Sequence, residues 1–301
     1  MPMENAANQK PTLAERLLVG QPVALARAIR LIEAEAPAAP SLLQAIRPHL
    51  GQAAVAGLTG PPWVGKSFLV NAFVKALRER GTFVGVVAVA PSCPVTGGAV
   101  LCDRIRMAGH MLDNEVLSRS LAARGHLGGL SVPAARVSDL MDTAGFDVVI
   151  QETAGAGQSE VELAELTNVF VLVSAPGLGN DVQATKAGML EITHVLLVNK
   201  SDLPLARRTQ HQLEAMPGLR AQSDWKVRVL VTKAFYGSGL PELAEAVARR
   251  ISRRAPKSGR EVQSGRSRRL LGPEHCAPGR KPCPCRSKRR KCRGHQRHAN
   301  L

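Results

Sequence analysis

The stretch Gly60–Ser67, read as GPPWVGKS, constrains this chain more than any other. Two glycines separated by four residues, then a lysine and a hydroxyl residue, fit the pattern G-x-x-x-x-G-K-[ST]. The apolar run Ala53–Leu58 before it reads as a buried strand, and the amphipathic run Phe68–Arg80 after it reads as a helix. A glycine-rich turn between a strand and a helix N-terminus makes an anion site, because free backbone N–H groups and the helix dipole converge there. Gly60, Pro61, Pro62, Trp63, Val64, Gly65, Lys66, Ser67 and Phe68 are therefore expected to line a phosphate chain. In that arrangement Lys66 reaches the outer phosphates and the Ser67 hydroxyl ligates Mg²⁺.

A chain of 301 residues holds one large α/β domain plus an accessory segment. No apolar run approaches the roughly 20 residues of a membrane helix. The start, MPMENAANQKP, lacks the basic-then-apolar pattern of an export signal, so the cytoplasm is the expected compartment. The net charge of +16 is local: from Ser252 onward stand 16 of the 40 Lys and Arg and two of the 24 Asp and Glu, leaving 24 against 22 before it. Cys276, Cys283, Cys285 and Cys292 also lie in this basic tail, while Cys93 and Cys102 in the body are expected as unpaired thiols.

Along the chain, three divisions are expected: a helical segment over 1–50, a nucleotide domain over 51–254 and the tail over 255–301. Thr12–Glu35 carries apolar residues at helical spacing, split in two at Gly20-Gln21-Pro22 and ended by Pro37 and Pro40; Ser41–Leu50 reads as a third helix. Gly81 stops the helix after the phosphate loop, and Thr82–Ala90 reads as the next strand. The Pro- and Gly-rich loop after it belongs over the nucleotide, because ligands sit at the carboxyl ends of parallel strands. Asp103 is the only carboxylate of that loop and a candidate for the metal region. Met111–Ser120 reads as helical, Gly125–Gly129 as a glycine loop and Val132–Thr143 as a helix.

The strand Phe146–Ile150 delivers QETAGAGQ, an acid at a strand end three residues before a glycine. Glu152 is placed to hold Mg²⁺ directly or through water, and the Gly155 N–H to bond the γ-phosphate. Such a loop senses whether that phosphate is present, which makes a switch. Gln158 is close enough in sequence to help place the attacking water, so Lys66, Glu152 and Gln158 form the catalytic set. Val195–Val198 delivers Asn199-Lys200-Ser201-Asp202. Asp202 can accept both the N1–H and the exocyclic amine of guanine, a pair that adenine does not offer. Asn199 supports the loop and Lys200 lays its stem along the base. After a helix over Gln210–Met216 and a strand over Val227–Val231, Thr232, Lys233 and Ala234 form the last base-facing loop, where the Ala234 N–H meets guanine O6. The helix Pro241–Arg254 closes the domain. Strands alternating with helices give a parallel sheet with helices on both faces.

In this order the runs GLTGPPWVGKS, PSCPVTGGAVLCDRIRM, GHLGG, ETAGAGQSE, NKSD and GLPEL resemble the MeaB/ArgK family over roughly Leu13 to Arg254. The resemblance implies a P-loop NTPase fold of the SIMIBI type and a GTPase that uses GTP, GDP and Mg²⁺. It further implies a chaperone for an adenosylcobalamin-dependent methylmalonyl-CoA mutase, gating cofactor loading and hydrolysing GTP faster when bound to it. By position, Ser67, Asp103 and Glu152 fall to the metal, and Lys186 and Glu191 to the segment that couples nucleotide to mutase. Trp63 stands where the family has Gly; a Cβ and an indole there are expected to fit only with negative φ and an outward ring. Ala90 replaces a family Asp near the metal, Asn180 and Ala187 replace charges in the coupling segment, and Lys233 replaces a Ser. A GTPase slower than its relatives is the consequence expected.

The tail departs from the family's helical dimerisation arm, so the usual homodimer is not expected to carry over. Its Arg-, Pro- and Cys-rich composition admits a disordered or out-of-frame terminus, a basic RNA- or membrane-binding tail, or a zinc site. Three further readings stand beside the main one, the first within the same fold and the second of a different class. A metal-centre maturation GTPase delivering nickel would show a His-rich tract or a Cys/His pair by the phosphate loop. A nucleotide-binding partner protein without hydrolysis fits Trp63 and Ala90. A kinase for transport proteins lacks a substrate-base constellation.

Overall fold

The computed structural model describes residues 10–90, 110, 113–122, 131–153, 159–177, 187–215 and 225–253. Its centre is a seven-stranded sheet, built from β1 (Ala54–Thr59), β2 (Val84–Ala90), β3 (Val116–Ala122), β4 (Val148–Glu152), β5 (Val169–Ser174), β6 (Val195–Val198) and β7 (Arg228–Val231). The order is β3-β2-β4-β1-β5-β6-β7, and every neighbouring pair is parallel. The inner strands read as unbroken apolar runs such as VFVLVS and VLLV because both of their faces are buried.

Helices cover both faces. α4 (Lys66–Glu79) and α9 (Leu240–Ser252) lie on one, where Leu69, Phe73, Leu77, Leu243 and Val247 pack onto Leu58, Ile150, Val171 and Leu197. On the opposite face, α6 (Ser159–Leu166), α7 (Ala187–Ile192) and α8 (Ala206–Glu214) cover Phe170, Leu172, Leu196 and Val198. Its other half is covered by α5 (Ser131–Thr143) and by α1 (Leu13–Leu18), α2 (Pro22–Glu33) and α3 (Ala39–Ile46), whose Leu17, Ile29 and Ile46 share a core with Leu140, Met141 and Val149. Two polar contacts hold this side in register. Arg119 on β3 pairs with Glu33 on α2. Buried Asp142 accepts the backbone N–H groups of Gly51, Gln52 and Ala53 at 2.5 to 3.2 Å, which fixes where the chain enters β1.

Two expectations are corrected. Met111–Ser120 is not helical where it is described: from Val116 it is the edge strand β3, paired to β2 over its whole length. As an edge strand it buries little besides Leu121, so its apolar residues carry no clean two-residue alternation. Pro40 does not end the second helix; α2 has already stopped at Glu33, and Pro40 sits in the first turn of α3, where a missing N–H costs nothing. Other boundaries move by one to four residues. The glycine loop Gly125–Gly129 lies outside the described residues.

Because all strands run parallel, the ends of β1, β4, β5 and β6 open on the same rim of the sheet. The described motif residues of the loops after β1, β4 and β6 are gathered there.

Candidate functional site

β1 ends at Thr59, and the chain turns through Gly60–Gly65 into α4. Two glycines are sterically required. A Cβ on Gly60 would stand 2.2 Å from the Val173 carbonyl oxygen, and Gly65 caps α4 with φ +86° and would push a Cβ to 2.9 Å from Asn199 Nδ2. Val64 is buried in the core, whereas Pro62 and Phe68 are exposed. Lys66 is buried, and its ammonium donates to the carbonyls of Gly60 at 2.8 Å and Pro61 at 2.9 Å, so its charge is aimed into the mouth of the loop. The Ser67 hydroxyl donates to Glu152 Oε1 at 2.8 Å across the 85 residues that separate them. A hydroxyl and a carboxylate side by side, both hard oxygen donors, are the type of pair that suits Mg²⁺.

Behind this pair the Thr153 hydroxyl donates to the Thr59 hydroxyl at 2.9 Å, and both threonines are buried. They lock the end of β4 to the end of β1 and thereby set the distance between Glu152 and the loop. Neither threonine belongs to the motifs legible in the sequence; a hydroxyl residue at the end of an apolar strand was the available signal.

The second loop follows β6. Asn199 is 2% exposed and holds three partners. Its Nδ2 donates to the Val64 carbonyl at 2.9 Å, and its Oδ1 accepts the Thr232 hydroxyl at 3.2 Å and the Ala234 N–H at 3.3 Å. One side chain thus ties the phosphate loop to both loops expected to face the base. Lys200, with φ +55°, donates from Nζ to the Trp63 carbonyl at 2.8 Å. Asp202 is exposed beside it. Thr232 is held by backbone bonds to Val198 and Ser201, and Lys233 is bridged to Ser238.

Trp63 corrects the expectation of a negative φ: the angle is +70°. The loop's course, fixed at Gly60, Gly65 and the Trp63 carbonyl, imposes the left-handed conformation whichever residue stands there. The outward ring is as expected, with 91% exposure. The structure therefore brings together Gly60–Phe68, Glu152, Asn199, Lys200, Asp202, Thr232, Lys233 and Ala234 on one rim. Asp103, Gly155, Gln158, Asn180 and Lys186 lie outside the described residues, while Glu191 is exposed on α7.

A parallel sheet with a glycine loop at the end of β1, and an NKSD loop bolted to it from β6, defines a P-loop nucleotide-binding protein. The comparisons narrow this class. Residues 25–272 match the family model described as methylmalonyl-CoA mutase-associated GTPase MeaB, and the chain belongs to that GTPase family. The GTPase ArgK of Escherichia coli is 38% identical over 251 residues, covering 78% of this chain and 75% of that protein. The crystal structure of an LAO/AO transport system kinase superposes with a TM-score of 0.64 at 28% identity, over 88% of this chain and 80% of the other. The HypB protein of Helicobacter pylori, solved in complex with nickel, matches at a TM-score of 0.51 and 13% identity, over 77% and 99%, and shares the fold. No helix among the described residues is long and apolar enough to cross a membrane.

Proposed function

We propose that this chain is a guanine-specific, Mg²⁺-dependent switch that hydrolyses GTP and acts as chaperone to an adenosylcobalamin-dependent methylmalonyl-CoA mutase. The observation that carries the reading is Asn199, whose three hydrogen bonds make the phosphate loop and the base-reading loops one rigid unit. Preorganised groups stabilise developing charge at little reorganisation cost. The Lys66 ammonium lies where negative charge builds on the outer phosphates, and Asp202 offers its two oxygens to guanine. Ser67 and Glu152 would hold Mg²⁺, which neutralises phosphate charge when bound. Gln158 and Gly155, just past Glu152, would place water and sense the γ-phosphate. The 152–158 segment and the stretch around Lys186 then report the nucleotide state to the mutase, as membership of a mutase-associated family supports.

The test is GTP turnover by the full chain, alone and with stoichiometric methylmalonyl-CoA mutase. Turnover rises with the mutase and ATP does not replace GTP; absence of both GTP binding and stimulation overturns the reading.

A further inference from the structure

Among the described residues four non-glycine positions have positive φ: Glu35, Trp63, Lys200 and Leu205. Two of them touch. Lys200 Nζ donates to the Trp63 carbonyl at 2.8 Å, so the side chain of one left-handed residue holds the backbone of the other where the phosphate loop abuts the base-reading loop. Non-glycine residues persist in such conformations only where the surroundings over-determine them, and they gather at ligand sites. Trp63 carries a second cost, for its indole is 91% exposed. The other tryptophan shows what a settled indole looks like here: Trp225 donates from Nε1 to the His194 carbonyl at 2.8 Å and lies under the Arg250 and Arg253 guanidinium groups.

The place of Trp63 selects what can cover it. Its own carbonyl anchors Lys200, the lysine expected along the base, and three residues later the Lys66 ammonium is held at the mouth of the phosphate loop. The indole therefore leaves the backbone between the two ends of the proposed nucleotide site, on its solvent side. An aromatic ring is a sequence-tolerant platform for a nucleobase or for the flank of its sugar. We propose that Trp63 is a nucleotide-retaining residue, its indole closing over the sugar and base of a bound guanine nucleotide and slowing release. The inference rests on the guanine-nucleotide reading above. It adds a role for a side chain at a position where the backbone alone favours glycine.

Release of radiolabelled GDP into excess unlabelled GDP tests this on the full chain and on Trp63→Asn, Trp63→Gly and Trp63→Phe. Asn and Gly both tolerate positive φ, so neither variant is strained, and Asn does not add glycine's backbone freedom. The stacking of one base on one ring predicts release about 5- to 150-fold faster from the Asn and Gly variants, with Phe nearer the parent. Tryptophan emission gives an independent readout. Adding GDP changes the parent's spectrum and leaves that of Trp63→Phe, which reports Trp225 alone, unchanged. Release from Trp63→Asn at the parental rate overturns the proposal while leaving nucleotide binding intact. Failure of the parent itself to bind GDP overturns the underlying reading and this inference with it.

Discussion

Asn199→Ala removes the side chain that joins the three loops. It deletes hydrogen bonds of 2.9, 3.2 and 3.3 Å and leaves the Val64 carbonyl, the Thr232 hydroxyl and the Ala234 N–H without that partner, at a position 2% exposed. A neutral hydrogen bond contributes about 1 kcal/mol net, and the two longer ones fall toward the weak end of the range, so the loss is about 2–3 kcal/mol. For a domain of this size each kcal/mol lowers Tm by roughly 2–4 °C, which gives a fall of roughly 4–12 °C. The assay is thermal unfolding followed by circular dichroism without nucleotide. A second effect follows from the same number. If the loops must be drawn together by the ligand, GDP affinity falls by up to roughly 30- to 150-fold. Asn199→Asp discriminates further, because it keeps the acceptor toward Thr232 and Ala234 but sets a carboxylate against the Val64 carbonyl. A Tm for Asn199→Ala within about 1 °C of the parent would refute the reasoning, since it would mean that the loops hold their places without this bolt.

Three further outcomes follow from the geometry. On the proposed guanine reading, Asp202→Ala removes the acceptor of two hydrogen bonds donated by guanine, so GDP affinity falls by about 100-fold or more while ADP affinity is unchanged, measured by calorimetry. Ser67→Ala removes the donor of the 2.8 Å pair, and Glu152→Gln keeps an acceptor for Ser67 but removes the charge; each lowers phosphate release from GTP by about 100-fold or more at saturating Mg²⁺. Asp139 on α5 has its carboxyl pushed up to about 6, first by burial and then by the charge of Asp142. The native state then holds more protons than the unfolded one between pH 4 and about 6, so this group lowers stability as pH rises through that window. Discounted for its partial exposure, Asp139→Asn stabilises the fold by about 1–2 kcal/mol at pH 8 and by little at pH 4, read from Tm at each pH.

What the sequence disclosed and what it withheld divide along a physical line. The phosphate loop, Glu152 and the NKSD loop were legible because each is a contiguous run, and the inner strands because burial on two faces leaves an unbroken apolar signature. Edge strand β3 was misread as a helix, since its partial burial and its partner Glu33 on α2 are products of tertiary contact. The three-way role of Asn199 was only half legible. That it supports its loop followed from the motif, but Val64, Thr232 and Ala234 lie up to 135 residues away and nothing local marks them as its partners. The positive φ of Trp63 was likewise hidden, because residue type argues against it while the closed course of the loop requires it.

Central to the proposed function is that two loops far apart in sequence form a single rigid site that reads guanine and phosphate together. Calorimetric titration of the full chain with GDP and then ADP, both with Mg²⁺, tests it most directly. Sites built to hydrogen-bond one ligand reject an analogue that cannot return those bonds by several powers of ten. GDP is expected to bind at least about 10³-fold tighter than ADP. Affinities for the two within about tenfold of each other would contradict it.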